Sequence, residues 1–398
     1  MAALQADQLT TMSPKPLDGV RVVELGVVIA GPAAAAMLGD WGADVIKVEP
    51  HAGDPHRSNT VTAYFELDNR NKRSICLDLK AREGREILLR LLENADVFVT
   101  NFRPAALAGL GLDYASLSAR FPRLVYAAVT GYGQAAPEKA GYDIGAFWSR
   151  AGVAMALTPE GDAPPVSRPG LGDHPTGLAM AAGIAAALFQ RERTGAGSLV
   201  ETSLLRTGLY VLGSDLIVEM DGARPVRGLR RALYNPLLAC YQSQDGKWFW
   251  LLGLQGDRFW PGLTRALGRP DLLVDPRFSN HGELVRHRDE LIPLLDEIFS
   301  AWSMENLAAA FAREDVWWDP IQDFHDVVAD PMNAAAGAFP QIDGSSRRTV
   351  ASPIDFGGEL PGQASRAPET GEHTEQLLLD LGYEWDDIAR LQQERVIP

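Results

Sequence analysis

From Val20 onward the chain alternates two kinds of segment. VRVVELGVV, GPAAAAMLGDWG and DVIKVE read as strand, small-residue helix and strand. The alternation continues through SICLDL from Ser74, the periodic AREGREILLRLLENA from Ala81, DVFVT from Asp96 and LVYAAVTG from Leu124. These strand runs are continuously apolar instead of alternating, so both of their faces must be buried. That is the mark of a parallel sheet covered by helices, and it predicts an α/β, Rossmann-like layer structure for roughly the first 200 residues.

Two Ala/Leu-rich runs, Pro175 to Arg191 and Thr202 to Met220, then predict helices, before the texture changes at DGARPVRGLRR. That stretch, with Arg224, Arg227, Arg230 and Arg231 and no carboxylate after Asp221, reads as an exposed linker. YQSQDGKWFWLL places two β-prone runs around Asp245-Gly246, a hairpin signal. Helical patterns such as RDELIPLLDEIFSAW and MENLAAAFARE follow to about Val328, so residues 224–330 read as a smaller α+β domain. A Gly/Pro/Ser-rich stretch from Asp343 to Pro368 precedes a last helical segment from Thr374. Residues 1–16 read as a loose leader without the features of a signal peptide. The longest weakly polar run, starting at Gly177, spans about 13 residues, against roughly 20 for a bilayer crossing. A buried helix is expected there, and no membrane partner.

Composition narrows the chemistry. Lys and Arg number 37 against 52 Asp and Glu, a formal charge of −15, which argues against a general nucleic-acid binder. Two cysteines, Cys76 and Cys240, are too few for a disulfide framework and fit a reducing, cytoplasmic setting. The turn after the first strand, ELGVVIAGPAAA, lacks the G-x-G-x-x-G spacing of a dinucleotide site, and neither a phosphate-binding P-loop nor a G-x-S-x-G elbow occurs. The seven histidines are scattered without metal-ligand spacing, so no metal is expected.

One carboxylate stands out. In RPGLGDHPTGLAMAAGIAAALF, Asp173 lies on a glycine turn directly before a nearly charge-free helix. Spacing alone favours an N-cap, with the side chain accepting an orphan helix N–H. The functional alternative is a carboxylate nucleophile on a turn that a substrate can approach closely, with backbone N–H groups ready for a developing oxyanion.

The blocks LDGVRVVELGVVIAGPAAAAMLGDWGADVIKVEP, NKRSICLDLK, ADVFVTNFRPAALAGLGL, GYDIGAFWSRAG, LGDHPTGLAMAAGIAAAL and GEHTEQLLLDLGY, in this order from about Leu17, resemble the class III CoA-transferase (CaiB/BaiF) family. The resemblance implies a large Rossmann-like CoA-binding domain built from both chain ends, residues 17–223 and 331–398, and a small domain from the middle. It also implies an interlocked homodimer. The substrates would be an acyl-CoA and a carboxylic acid, with no permanently bound cofactor. Asp173 matches the family's nucleophile. Its CoA contacts fall on Leu77 and Lys80 in LDLK, Asn101 and Phe102 in NF, and Tyr142 in GYD; the neighbouring Arg103 reads either as an additional phosphate ligand or as an exposed loop arginine. Glu49, which closes the second strand, is assigned a structural role.

Departures from the family pattern shape the expectation further. Val27, Val28 and Ile29 replace a polar His-Val-Gln turn of the formyl-CoA transferase branch, favouring a more apolar acyl group than oxalate or formate. Gly109 replaces a basic residue, and GLQG from Gly253 to Gly256 stands nearest to a tetraglycine lid. The fold also hosts α-methylacyl-CoA racemases, but their basic His position is Tyr142 here. A phenol is a poorer base than imidazole at neutral pH, which disfavours a two-base proton shuttle. A non-catalytic CoA-ester binding protein is the third alternative, and the intact Asp173 block argues against it. The aromatic cluster Trp248, Phe249, Trp250, Phe259 and Trp260 reads first as core.

Overall fold

The computed structural model describes residues 15–225, 235–358, 362 and 364–398. Most of the leader and the linker arginines Arg227, Arg230 and Arg231 therefore lie outside the described residues. Two compact units are present. One comprises Met1–Ala154, Val166–Pro225 and Ala335–Pro398, and the other Met155–Pro165 and Val226–Ala334. The sequence pattern assigns 155–165 to the first of these. It is an excursion that carries no strand to hold it to the sheet, and it groups with the second.

The first unit is built on six parallel strands: β1 (Arg21–Leu25), β2 (Asp44–Glu49), β3 (Lys72–Cys76), β4 (Val97–Thr100), β5 (Val125–Thr130) and β6 (Leu199–Ser203). Their spatial order is β3-β2-β1-β4-β5-β6. Alternate residues feed two cores. Val22, Val45, Val97 and Val125 pack with the helices Ala30–Asp40 and Asp173–Thr194 on one face. Val23, Ile46, Ile75 and Phe98 pack with the helix Arg82–Glu93 and the C-terminal helices Thr374–Asp380 and Trp385–Gln393 on the other. Continuous apolar strands are thus explained by burial on both sides.

β6 is a correction to the expected helix from Thr202. Its LVETS sequence continues into the Leu-rich helices Leu204–Val211 and Gly213–Met220, and only its last residue is fully buried, so its pattern merges with theirs. The C-terminal segment closes the β3 edge. Cys76 N–H donates to Thr374 Oγ1, Gly371 N–H to Ser74 Oγ, and Asp78 N–H to the Val396 carbonyl. An edge strand is covered instead of left to pair with another chain.

Beneath the carboxyl end of the sheet lies a buried ion network. Glu24 on β1 accepts from Lys47 Nζ on β2 at 2.9 Å and from Lys72 Nζ on β3 at 2.7 Å, and Lys47 also pairs with Asp54 at 2.9 Å. All four side chains of Glu24, Lys47, Lys72 and Asp54 are buried. Glu49 receives Arg57 in a two-pronged ion pair and the Ser74 hydroxyl at 2.6 Å.

In the second unit, β7 (Cys240–Gln242), β8 (Trp248–Leu251) and β9 (Trp318–Ile321) form an antiparallel sheet. Cys240 pairs with Trp250 and Gln242 with Trp248, and Gly246 takes the positive φ the hairpin turn needs. Phe249, Phe259 and Trp260 are buried in the core with Tyr241, Phe299 and Phe311, whereas Trp248 and Trp250 face outward. The GLQG glycines are packing positions in this unit: a side chain on Gly253 would strike Leu237 and Phe259.

Candidate active site

The order β3-β2-β1-β4-β5-β6 reverses direction between β1 and β4, the crevice where open α/β sheets bind ligands. The turn after β1 is held there by Asn101, just past β4. Its Oδ1 accepts from Val27 N–H at 3.0 Å, and its Nδ2 donates to the Val27 carbonyl at 2.7 Å. Val28, β-branched, sits at φ 67°, a strained conformation. Its N–H donates to Asp54 Oδ1 at 3.1 Å, so Asp54 couples this turn to the buried Lys47.

Opposite this turn begins the helix Asp173–Thr194. Gly177 lets it approach closely, since a side chain there would meet the Ala30 carbonyl and Ala33 at about 3 Å. Gly170, at φ 73°, lies directly under the His174 ring, which a Cβ would strike. The N-cap position is held by Gly172, and Asp173 is the first helical residue. The capping role that spacing favoured is therefore not the one Asp173 plays: its carboxylate makes no hydrogen bond or ion pair among the described residues. Half-buried at a helix N-terminus, it remains available for chemistry.

Its electrostatics are unusual. Burial pushes the Asp173 carboxyl up to about 7, the Asp143 and Asp68 charges push the same way, and His174 opposes them. Asp143 Oδ2 accepts from Gly172 N–H at 3.4 Å, which holds this second carboxylate near the first. Asp143 stands at the start of a π-helical turn, Ile144–Arg150, a local geometry frequent at functional sites. The His174 ring meets buried Asp68 at 3.0 Å. Burial disfavours its charged form, but the hydrogen bond and charge of Asp68 outweigh this and raise it above the ordinary histidine value.

A cleft of about 400 Å³ runs alongside. Val28, Ile29, Pro55, Leu67 and Pro169 give it aliphatic walls, Tyr64 and Tyr142 aromatic ones, and His56, Asn59, Asp68 and His174 its polar groups. Tyr142 is 69% exposed.

Of the expected site residues, the structure brings Tyr142 to the cleft and Asn101 to the β1 turn. Leu77 is buried in the core past β3, its N–H donating to the Glu49 carbonyl. Lys80 is exposed on the same carboxyl edge of the sheet, without an ion pair among the described residues. Phe102 is half-buried, and exposed Arg103 caps the helix Pro104–Leu110. Among the described residues, no hydrogen bond or ion pair links Leu77, Lys80, Phe102 or Arg103 to Asp173. His56, Asp68, Asp143 and His174 are additions that sequence reading missed. His174 adjoins the nucleophile candidate and Asp143 sits in the GYD block, which were the available signals. His56 and Asp68 carried none. Among the described residues no group of His, Cys, Asp or Glu is arranged to hold a metal ion.

Comparison with known proteins converges on one family. The model for CoA-transferase family III matches residues 17–374. The chain is 34% identical to (R)-2-hydroxy-4-methylpentanoate CoA-transferase of Clostridioides difficile, over 96% of this chain and 99% of that protein. It is 33% identical to cinnamoyl-CoA:phenyllactate CoA-transferase of Clostridium sporogenes, over 96% and 97%. A crystal structure of a CaiB/BaiF family protein from Brucella suis superimposes with a TM-score of 0.80 at 34% identity, covering 93% of this chain and all of that one. The chain belongs to CoA-transferase family III and is an enzyme of that class.

Proposed function

We propose that the protein moves CoA from an acyl-CoA thioester to a carboxylic acid through covalent catalysis by Asp173. Ionised Asp173 attacks the thioester carbonyl, the C–S bond breaks, and an acyl-aspartyl anhydride and CoA thiolate result. The thiolate attacks the aspartyl carbonyl, releasing the donor carboxylate and leaving an aspartyl-CoA thioester. The acceptor carboxylate then displaces the thiolate to form a second anhydride. Thiolate attack on its acyl carbonyl gives the new acyl-CoA and frees Asp173. An anhydride conserves the thioester's reactivity, so no nucleotide hydrolysis is needed. Helix N–H groups at the Asp173 turn favour each developing oxyanion.

The observation that carries this reading is the Asp173 carboxylate on its glycine turn, without a hydrogen bond or ion pair among the described residues, beside a cleft with aliphatic walls. Lys80 and Arg103 supply cations for the CoA phosphates, Phe102 offers a ring face for adenine, and Leu77 lines the nucleotide end. Asn101 acts through the turn it holds, and Tyr142 borders the acyl end. A racemase reading is not favoured, because Tyr142 stands where a second base is required. Aliphatic Val28 and Ile29 support an acyl group larger and less polar than formate or oxalate. We further place the protein in the reducing cytoplasm, consistent with a chain that has only two cysteines, Cys76 and Cys240, as an interlocked homodimer whose large domains bind CoA.

The test is direct. After incubation with an acyl-CoA and quenching with hydroxylamine or borohydride, mass spectrometry should find the modification on the peptide carrying Asp173. Asp173→Ala should lose both the label and at least about 10³-fold in transfer rate. An unlabelled wild-type enzyme together with a fully active Asp173→Ala variant would refute the mechanism.

A further inference from the structure

His56 is the group in the cleft that the covalent mechanism leaves unused. It lies in the short 3₁₀ turn Pro55–Ser58, whose N-cap is Asp54. Asp54 Oδ1 accepts from the His56 N–H at 2.9 Å and from the Val28 N–H, so one carboxylate positions both sides of this corner. The ring stands edge-on to Tyr64, their centroids 6.5 Å apart. His56 is 6% exposed, lines the cleft, and its buried Nε2 has no hydrogen-bond partner among the described residues.

That last feature calls for a ligand. Buried polar side-chain atoms are nearly always hydrogen-bonded, and one left unpaired destabilises the fold unless something else completes it. The other polar groups of the cleft are already engaged or open to water: Asp68 and His174 bond each other, and Asn59 is exposed. The apolar walls of the cleft, Val28, Ile29, Pro55, Leu67 and Pro169 with the Tyr64 ring, disfavour a dianion or a hydrated headgroup. A group that satisfies both conditions is mostly apolar and carries one hydrogen-bonding oxygen.

We propose that His56 is the specificity-determining residue for the acyl group, its Nε2 hydrogen-bonding a hydroxyl or carbonyl oxygen carried on an otherwise apolar or aromatic acid. This rests on the CoA-transferase reading only for the identity of the ligand as an acid. A site built to hydrogen-bond an oxygen discriminates strongly against the analogue that lacks it, because the protein atom is then left unpaired.

The experiment compares 2-hydroxy-3-phenylpropanoate and 3-phenylpropanoate. Each is measured by calorimetric binding to the full chain saturated with CoA, and separately by CoA transfer from acetyl-CoA. The wild type should bind the hydroxylated acid about tenfold more tightly. His56→Phe keeps a ring and removes Nε2, and should bring the ratio to within about twofold of unity. His56→Gln restores a donor and acceptor and should recover most of the preference, with thermal melts confirming that both variants fold. Equal binding of the two acids by the wild type, no binding of either, or an undiminished ratio in His56→Phe would each overturn the assignment. Hydroxyl-selective binding without any CoA transfer would instead refute the catalytic reading while leaving His56 in its role.

Discussion

Asp173 carries opposing demands on one carboxyl group. Burial and the neighbouring charges of Asp143 and Asp68 hold its proton up to about pH 7, while a nucleophile must be ionised. Below that pH the free enzyme is protonated at Asp173, so kcat/KM should fall on the acid side with a midpoint near 7. The neighbours give the sign of two shifts. Asp143→Asn removes a negative charge that disfavours ionisation, so the midpoint should move to lower pH. His174→Gln removes the opposing positive charge, so it should move to higher pH. Steady-state pH profiles of the three proteins decide this, and identical midpoints would show that another group controls the acid limb. Much of this was illegible in the sequence. Asp173 was found through the block around it, yet Asp68 lies far away in the chain and meets His174 only because the turn before the helix folds over Gly170.

Three adjacent strands share one carboxylate. Glu24 on β1 binds Lys47 from β2 and Lys72 from β3, and Lys47 continues to Asp54, which fixes the Val28 turn and the His56 corner. Breaking a buried ion pair on one side leaves the partner charge uncompensated, whereas the intact pair contributes little beyond its desolvation cost. Glu24→Gln, which keeps the shape and removes the charge, takes the ion-pair partner from the buried Lys72 ammonium and leaves Lys47 with Asp54 alone. It should lower the unfolding free energy by about 3 kcal/mol, measured by urea denaturation. A loss below about 1 kcal/mol would show that the site relaxes or hydrates. At this scale β1 to β5 were readable because apolar runs of strand length recur between helices. The ion network was not, since nothing in the spacing of Glu24, Lys47 and Lys72 along the chain says that three neighbouring strands bring them together. β6 escaped for the opposite reason: its exposed alternate residues weaken the strand pattern, and the helix that follows absorbs it. β9 contains Pro320, which speaks against a strand in sequence but is tolerated at the edge position that β9 occupies.

At the scale of the whole molecule, large apolar side chains are exposed on two consecutive helices of the first unit. The helices Leu204–Val211 and Gly213–Met220 expose Tyr210 at 88%, Met220 at 76%, and also Val211, Ile217 and Val218. Large apolar side chains exposed together on two consecutive helices point to an interface, and a charge of −15 per chain keeps such surfaces from associating at random. In an interlocked homodimer this surface would be covered as the chains fold, so folding and association would be a single event. The consequence is measurable by mass action. The midpoint of chemical unfolding should rise with protein concentration, whereas a monomer's would not. Light scattering across the native baseline should report one species of twice the 43.2 kDa chain mass, with no folded monomer on dilution into the nanomolar range. Tyr210→Glu with Met220→Glu, which buries two carboxylates in the interface, should lower the midpoint by several tenths molar in urea and make the remaining concentration dependence steeper at low protein. A concentration-independent midpoint with a 43.2 kDa species in solution would show that these helices serve some other partner.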